Sequence, residues 1–424
     1  MKNKRLVILL GIVCLILVLA ALPFMAACVP EKPTPTPPEE KPTPTPEVLK
    51  VGCTLPFQAG LGIEAKKAFE ILADELNKSG GLTVGGKNYK IELIIYDDKY
   101  SPEVGRAAVE RLVNSDKVRF IVGQLASGPA VAGVPVTEAN KIPIFPGAIS
   151  DKLRDPALNY CFPSVSSLSG EHQFCIMEKY PNIKTMVTLS PDSEVGRMCS
   201  TSAIASAKAF GVKTLEEMHY PPGTQDFSPM ATKIAALNPD SINCSGSASG
   251  ADLGLIAKAL AQSGWKGVRY AATLELDEFI AASSKEIAEG WLCWCSDGSE
   301  LPSPVPEAVA LRKAYEKKYG TWNPACIEWT DPWYMFIAAL KKADSLDADD
   351  IKIALADGLE WESSSGHMEM IKRPDIGNSK FCDALRPYNV GVIHNGEKVL
   401  LWSLDIDGRI KLQEKMRGHV GEWQ

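Results

Sequence analysis

The regular alternation of two kinds of segment is the feature that most limits how this chain can fold. From Val48 onward, short runs of β-branched and aliphatic residues alternate with amphipathic stretches of helical length. The segment "KIELIIYDD" (Lys90 to Asp98) has the composition of a strand, and "SPEVGRAAVERLV" after it predicts a helix with Ser101 as its cap and Pro102 in its first turn. Such alternation is typical of an α/β fold with largely parallel sheets.

One later segment has a different pattern. "NVGVIHNGEKVLLWSL" predicts two antiparallel strands that are joined at Asn395-Gly396, because an Asn-Gly pair between two apolar runs is the strongest short-range hairpin signal.

The region after Cys28 is roughly 400 residues long, which is too many for one ordinary hydrophobic core and suits two lobes.

The first residues have the layout of an export signal. Lys2, Lys4 and Arg5 precede an apolar run from Leu6 to Leu22, and small residues stand directly before Cys28. We therefore expect residues 1–27 to be a cleaved signal peptide. The run is also long enough for an uncleaved membrane anchor, and both interpretations place the rest of the chain outside the cytoplasm.

A proline-rich segment follows the leader. Residues 28–47 contain the repeat "KPTPTP", which removes hydrogen-bond donors and favours an extended polyproline-type spacer. The interpretation is a stalk that holds the folded part away from a membrane. A proline-rich ligand for a partner domain is the alternative.

Charge and cysteine content exclude several classes of function. The net charge of -7 becomes about -10 (-7 - 3) without the three leader cations, and the remaining cations are scattered, so no nucleic-acid surface is expected.

Apart from Cys14 and Cys28, nine of the 11 cysteines remain (11 - 2), with no Cys-x-x-Cys pair. The pair Cys293-x-Cys295 lacks further ligands at zinc spacing, so neither a metal nor a cofactor is predicted. Cysteines in apolar surroundings, such as Cys53, Cys244 and Cys293, are expected to be small buried hydrophobic residues.

Two glycine-rich motifs suggest enzymes. "GLGIEA" (Gly60 to Ala65) fits a dinucleotide fingerprint, but its glycines come several residues after the strand and no acidic residue follows at the usual distance. "GSASG" (Gly246 to Gly250) matches the nucleophile elbow of a hydrolase that would use Ser249, with His367 and His394 downstream. A loop that caps a helix generates the same pattern, and we prefer that interpretation.

A third loop suggests a binding site. "GQLASGPAVAG" (Gly123 to Gly133) joins a strand to a helix, and the amide groups at a helix N-terminus together with the Ser127 hydroxyl suit a carboxylate. The alternative is that Ser127 is only an N-cap.

Several spaced segments resemble one family in the same order. "KVGCTLPF", "LADELNKSGG", "KIELIIYDDKYSPEVGRAAVERLV", "FIVGQLASGPAVA" and "IPIFPGAIS", followed by "AEGW" and "YMFIAALKKADS", resemble the leucine/isoleucine/valine-binding proteins, which are extracytoplasmic solute receptors of ABC transporters. The resemblance covers most of the stretch from Val48 to Leu404. It implies a type I periplasmic-binding fold with two doubly wound lobes, 48–163 plus 293–375 and 164–292 plus 376–424, and a cleft that closes on ligand.

The resemblance also implies which residues hold the carboxylate of the ligand. The family serine falls on Ser127, with Gly128 beside it, and the family backbone positions fall on Gly147 and Ala148. The family threonine falls on Ile149, and Ser150 is adjacent. "MAAC" before the stalk resembles a lipobox, with methionine where leucine is usual, which implies lipid attachment at Cys28.

The opposite end of the ligand matches the family less well. Three family tyrosines fall on Leu61, Val195 and Ser247, and the glutamate that pairs the ligand ammonium falls on Thr273. Because an unpaired buried ammonium is costly, this loss matters. Glu275 replaces the glutamate if the alignment shifts by two residues; otherwise the ligand has no α-amino group.

One further family position is acidic and lies between tryptophans. Asp331 matches an aspartate that opens a helix of the first lobe, and Trp329 and Trp333 flank it. Aromatic residues here favour an apolar or aromatic ligand if they line the cleft. The alternative is that both tryptophans belong to the core.

The predicted function is reversible binding without chemistry. We expect a monomeric, membrane-tethered lipoprotein that captures a small carboxylate-bearing ligand, of branched-chain amino acid type or an amine-free or aromatic acid or amide, and delivers it to the permease of an ABC transporter. A ligand sensor on the same fold and an exported serine hydrolase using Ser249 are the alternatives.

Overall fold

Parallel pairing of strands that are distant in sequence builds the first sheet. The computed structural model of the protein describes residues 46–166, 176–177, 179–246, 249–272, 274–295, 297–299, 301, 303–374 and 377–417. The first sheet consists of Glu47–Leu55 (β1), Leu82–Val84 (β2), Lys87–Asp97 (β3), Phe120–Gly123 (β4) and Ile144–Pro146 (β5). Its order is β2-β3-β1-β4-β5, and every neighbouring pair except β2 and β3 is parallel.

Helices cover both faces of this sheet. The three helices between its strands are Gly60–Lys78 (α1), Pro102–Asn114 (α2) and Ser127–Ala139 (α3). On one face, α1 buries Phe69 against β1 and β4; on the other, Val109 of α2 and Val134 of α3 pack over Ile121. Burial on both faces explains why these strands are almost continuously apolar in sequence.

The second sheet repeats this arrangement. Its strands are Thr185–Pro191 (β6), Lys213–Tyr220 (β7), Ser241–Asn243 (β8), Val268–Ala271 (β9), Leu292–Trp294 (β10), Tyr388–His394 (β14) and Glu397–Leu404 (β15). The order is β15-β14-β10-β9-β8-β6-β7, parallel from β10 to β7 and antiparallel at β14 and β15. The helices associated with it are Glu194–Ala209 (α4), Ser228–Leu237 (α5), Gly250–Ser263 (α6), Leu276–Ala282 (α7) and Lys285–Ala288 (α8).

The chain between β10 and β14 returns to the first sheet. It forms the helices Pro306–Tyr319 (α9), Asp331–Ala343 (α10) and Ala348–Ala354 (α11), with a 3-10 turn at Pro324–Trp329. A third, antiparallel sheet follows, made of Glu360–Ser363 (β11), Gly366–Arg373 (β12) and Asn378–Leu385 (β13). Helix α10 packs its apolar face, including Phe336, into the same core as β1, β4 and β5. A last helix, Ile406–Arg417 (α12), follows β15.

Local predictions can be compared with these elements. The α/β prediction with largely parallel sheets is confirmed. Ser101 caps α2, since its hydroxyl accepts a hydrogen bond from the Val104 amide at 3.4 Å. The predicted hairpin is present, with Asn395 (φ 54°) and Gly396 (φ 82°) both in the left-handed region that such a two-residue turn requires.

Other predictions fall partly outside the described residues. Cys53, Cys244 and Cys293 are buried as expected, and burial raises the pKa of the Cys53 thiol. The signal peptide, Cys28 and all but the last two residues of the linker lie outside the described residues. The lobe boundaries stay a prediction. Within the described ranges, no helix is both long and apolar enough to cross a membrane.

Candidate ligand-binding site

The carboxyl-terminal edge of the first sheet concentrates buried polar atoms that lack partners. Open α/β sheets bind ligands at this edge. Four side chains at or just beyond the ends of β1, β3 and β4 have atoms without a hydrogen-bond partner in the described part of the chain: Thr54 Oγ1, Asp98 Oδ2, the Gln124 amide and Ser127 Oγ. Each buried polar group without a partner costs the folded state about 1 to 3 kcal/mol. A concentration of such groups makes this edge the candidate ligand site.

Ser127 is the first residue of α3 and not its cap. The capping position is Ala126, which supplies no side-chain hydrogen bond, so the alternative that Ser127 is only an N-cap is wrong. Its side chain is buried at 4% exposure, and its hydroxyl has no partner among the described residues. An unused hydroxyl beside the positive end of a helix can donate to an anion.

The start of α2 lies beside the start of α3. A Cβ added at Gly128 would lie 3.3 Å from Cγ of Pro102, and one added at Gly105 would lie 2.4 Å from Cβ of Pro129. This close approach requires glycine at position 105 and places both helix N-termini at the same edge of the sheet. The two partial positive charges therefore act on the same space.

The loop after β5 completes this edge. The Gly147 amide donates to the Gly123 carbonyl at 2.6 Å, and a Cβ at Gly147 would lie 2.7 Å from Cδ2 of Leu125. Ala148 is fully buried, and Ser150 is 4% exposed. The backbone of this loop thus runs beside the loop that contains Ser127.

Buried charges hold the end of the same loop. Arg154 donates to the Ser150 carbonyl at 2.8 Å and pairs with Asp383 of β13 at 2.9 Å. Asp383 also pairs with Arg373 of β12 at 2.8 Å, and all three charged side chains are at most 1% exposed. The third sheet therefore fixes the position of the loop after β5.

The loop after β3 has an unusual backbone. Lys99 (φ 53°) and Tyr100 (φ 54°) are consecutive non-glycine residues in the left-handed region, where each such residue is strained. Two aspartates hold the turn: Asp97 Oδ1 accepts from the Lys99 amide at 3.0 Å, and Asp98 Oδ1 accepts from the Tyr100 amide at 2.9 Å. Asp97 also accepts from the Phe57 amide at 3.1 Å, which joins this turn to the loop after β1.

Asp98 gives the protein a testable pH dependence. Burial raises the pKa of its carboxyl from 3.8 to about 6, and the charge of Asp97 adds to the rise. Between these two values the folded state binds more protons than the unfolded state, so this carboxyl makes the free energy of unfolding fall as pH rises. Asp98→Asn keeps an acceptor for Tyr100 but cannot titrate. We expect the variant to gain about 2 kcal/mol relative to wild type between pH 4.5 and pH 7.5, as measured by urea unfolding. Parallel pH profiles of the two proteins would contradict this assignment.

The start of α7, beside the second sheet, approaches the start of α1. Glu275 precedes α7 and accepts a hydrogen bond from the Gly250 amide at 3.0 Å. A Cβ added at Gly60, at the start of α1, would lie 3.2 Å from Oε1 of Glu278 and 3.9 Å from Oε1 of Glu275. Glu275 therefore faces the loops of the first sheet.

The remaining predicted site residues are distributed as follows. Leu61 is partly buried and packs against the core of the first sheet, and Val195 is half-buried in the first turn of α4. Ser247 and Thr273 lie outside the described residues. The structure thus brings Ser127, Gly128, Gly147, Ala148 and Ser150 to one edge, with Glu275 opposite the start of α1.

The tryptophans and Asp331 have structural partners. Trp333 is 3% exposed in the core, and Trp329 is partly buried against the same core. Asp331 is fully buried and pairs with Arg386, whose guanidinium lies 3.8 Å from the centre of the Trp294 ring. Burial raises the pKa of Asp331, and Arg386 opposes that rise. The sequence pattern did not indicate Arg386, because its partner is 55 residues away.

The elements of a hydrolase do not meet. The Ser249 hydroxyl accepts from the Asp252 amide at 3.2 Å and so caps α6, as the preferred interpretation expected. His367 bonds to Glu362 at 2.8 Å, and His394 bonds to Glu289 at 2.6 Å. Over the described ranges, no group of three or more histidine, cysteine or acidic residues is placed to hold a metal ion.

A separate cavity of about 510 Å³ lies at the opposite, amino-terminal edge of the second sheet. Asp240 in its lining already accepts from the Lys184 and Thr185 amides, each at 2.8 Å. Because this carboxylate is satisfied and open α/β sheets bind ligands at the opposite, carboxyl-terminal edge, the cavity is not the candidate site.

The chain is similar to known proteins of one family. A family model described as periplasmic binding protein matches residues 50–379. The Leu/Ile/Val-binding protein BraC3 of Rhizobium johnstonii is 24% identical over 330 residues, which cover 76% of this chain and 86% of that protein.

Solved structures share the fold. The branched-chain amino acid transporter substrate-binding protein LivJ from Streptococcus pneumoniae, in complex with isoleucine, superposes with a TM-score of 0.70 at 19% identity and covers 85% of this chain and 99% of its own. A solute-binding protein of an ABC transporter from R. palustris, in complex with benzoate, gives 0.69 at 18% identity, with 84% and 96% covered. The fold is thus the type I periplasmic-binding fold.

Proposed function

The chain belongs to the periplasmic binding protein family, of the Leu/Ile/Val-binding type, and on that premise we propose that it captures a small carboxylate-bearing solute and delivers it to a membrane permease. It is a solute-binding protein of the ABC transporter type and not an enzyme, and its family is extracytoplasmic.

The observation that carries the carboxylate assignment is the orphaned hydroxyl of Ser127. It is buried at the N-terminus of α3, next to the N-terminus of α2, and has no partner within the described ranges. A carboxylate oxygen there would accept from this hydroxyl and from helix amides. Backbone groups of Gly128, Gly147 and Ala148, with Ser150 beside them, would hold the second oxygen.

The opposite end of the ligand would lie toward the second sheet. We propose two lobes, 48–163 plus 293–375 and 164–292 plus 376–424, that close over the ligand. Leu61, Val195, Ser247 and Thr273 would then contact its body, with Trp329 and Asp331 behind the site.

Two ligand classes fit these residues. A branched-chain amino acid requires a partner for its ammonium, which Glu275 would supply from the start of α7. An amine-free acid such as benzoate requires no such partner and would suit apolar residues at positions 61 and 195. The solved relatives include one protein in complex with isoleucine and one in complex with benzoate, so both classes occur on this fold.

Attachment to the membrane is part of the proposal. Acylation of Cys28 would anchor the chain, and the proline-rich residues after it would act as a spacer of about 3.1 Å per residue. Mass spectrometry of the protein purified from membranes would detect a lipid on Cys28, and a Cys28→Ser variant should lose it.

Ser127→Ala tests the site directly. We expect the substitution to weaken binding of a carboxylate ligand by about 1 to 3 kcal/mol, because it removes a hydrogen bond to a charged group in a buried place. The measurement is isothermal titration of purified protein with L-isoleucine and with benzoate, alongside thermal unfolding with each compound.

Ser263→Ala is the matched control. Ser263 lies at the C-terminal end of α6, where its hydroxyl donates to the Leu260 carbonyl at 2.7 Å. Its replacement should leave ligand affinity unchanged. If Ser127→Ala binds as tightly as this control, the assigned carboxylate site is wrong, although the family would stand.

A further inference from the structure

Tyr100 is a large aromatic residue exposed next to the candidate site. It is 46% exposed, in the loop that leaves β3. Ser101 and Pro102 follow it at the start of α2, and Pro102 is the residue that approaches Gly128. The loop that carries Tyr100 therefore adjoins the Ser127 loop.

The backbone of Tyr100 is fixed in a strained conformation. Its φ of 54° follows a φ of 53° at Lys99, and the buried Asp98 holds its amide at 2.9 Å. Strain of this kind persists only where the surrounding structure determines it, and it is concentrated at binding and catalytic sites. Tyrosine also has only two side-chain torsions, so it loses little conformational entropy when it contacts a ligand.

The Tyr100 hydroxyl lies close enough to Glu275 for the two groups to interact electrostatically. Burial raises the pKa of the Tyr100 hydroxyl, and the negative charges of Glu275 and Asp98 raise it further. Glu275 belongs to the part of the chain that faces the loops of the first sheet, as its position near Gly60 shows.

We propose that Tyr100 is a specificity-determining residue of the ligand site, with its ring over the body of the ligand and its hydroxyl accepting from a donor opposite the carboxylate. This inference rests on the proposed function and adds the ligand chemistry: a carboxylate at one end and a hydrogen-bond donor such as a hydroxyl at the other. Tyr100 thus supplies a phenol from a different loop than the three family tyrosines, which fall on Leu61, Val195 and Ser247 in this chain.

The test compares Tyr100→Phe and Tyr100→Ala by isothermal titration. The probes are L-isoleucine, benzoate and 4-hydroxybenzoate, since the last two differ by one hydroxyl opposite the carboxylate. Tyr100→Ala should weaken every probe that wild type binds by at least about tenfold, because it removes an aromatic anchor. Tyr100→Phe should weaken 4-hydroxybenzoate by about three- to tenfold and leave benzoate and L-isoleucine within about twofold, because only a donor opposite the carboxylate uses the Tyr100 hydroxyl.

Tyr319→Phe and Ser127→Ala are the controls. Tyr319 is 38% exposed on α9, and its hydroxyl contacts Glu70 of α1 at 3.4 Å, so it matches Tyr100 in type and exposure but lies away from the site. Its replacement should change no affinity. If Ser127→Ala weakens a probe and Tyr100→Ala does not, this inference is overturned while the proposed function stands. If wild type binds none of the probes, both are overturned.

Discussion

Replacing Asp383 by asparagine should destabilise the protein by about 3 to 5 kcal/mol, because two buried cations would lose their shared counterion. Arg154 and Arg373 both contact this carboxylate, and neither side chain is more than 1% exposed. The measurement is urea unfolding monitored by circular dichroism. The shift in the urea midpoint, multiplied by the wild-type m-value, gives the change in the free energy of unfolding.

An exposed ion pair supplies the control for that variant. Arg106 and Glu110 lie 3.0 Å apart on α2, with side chains 51% and 45% exposed. Glu110→Gln should cost less than about 1 kcal/mol, since solvent screens exposed pairs. Equal effects of Asp383→Asn and Glu110→Gln would show that burial does not strengthen the Asp383 network. We also expect Asp383→Asn to weaken ligand binding, because Arg154 holds the Ser150 carbonyl.

Asp331→Asn should destabilise the protein by about 3 to 4 kcal/mol, in the lower half of the range for breaking a buried pair. Arg386 would lose its carboxylate partner but retain the Ser365 hydroxyl at 2.9 Å and the ring of Trp294. Arg386 lies in the short connection between β13 and β14, where the chain passes to the second sheet. The same urea experiment measures the change.

A double-mutant cycle separates the pair from the site. Removing both charges with Asp331→Asn and Arg386→Gln should cost less than the sum of the two single changes, because no unpaired charge is left buried. Additive effects would mean that the two residues are not coupled. A loss of ligand affinity in Asp331→Asn without a loss of stability would assign Asp331 to the ligand instead.

Local signals made much of the fold predictable from sequence. The Ser101 cap, the Asn395-Gly396 turn and the α/β alternation depend on neighbours in the chain, and the structure contains all three. The glycine-rich loop around Ser127 was predicted as a candidate binding loop for the same reason. Its place at the carboxyl edge of the sheet followed from the strand before it.

Long-range pairing left no signal of this kind. Arg386 is 55 residues from Asp331, and Arg154 is 229 residues from Asp383, so no spacing rule relates them. Tyr100, which we propose as a ligand contact, was not predicted, because sequence propensities do not predict its left-handed backbone conformation for a tyrosine. The second-sheet side of the site was assigned by alignment alone, and Glu275 was placed only by allowing a shift of two residues.

The loop after β5 is anchored largely by backbone atoms, through the Gly147 amide and the Ser150 carbonyl. As long as Gly147 and Arg154 are kept, substitution of the other side chains of this loop leaves these two contacts in place. Under the proposed function, duplicated genes could therefore acquire specificity for different solutes by changing only the residues that face the far end of the ligand. The site that binds the carboxylate would stay the same.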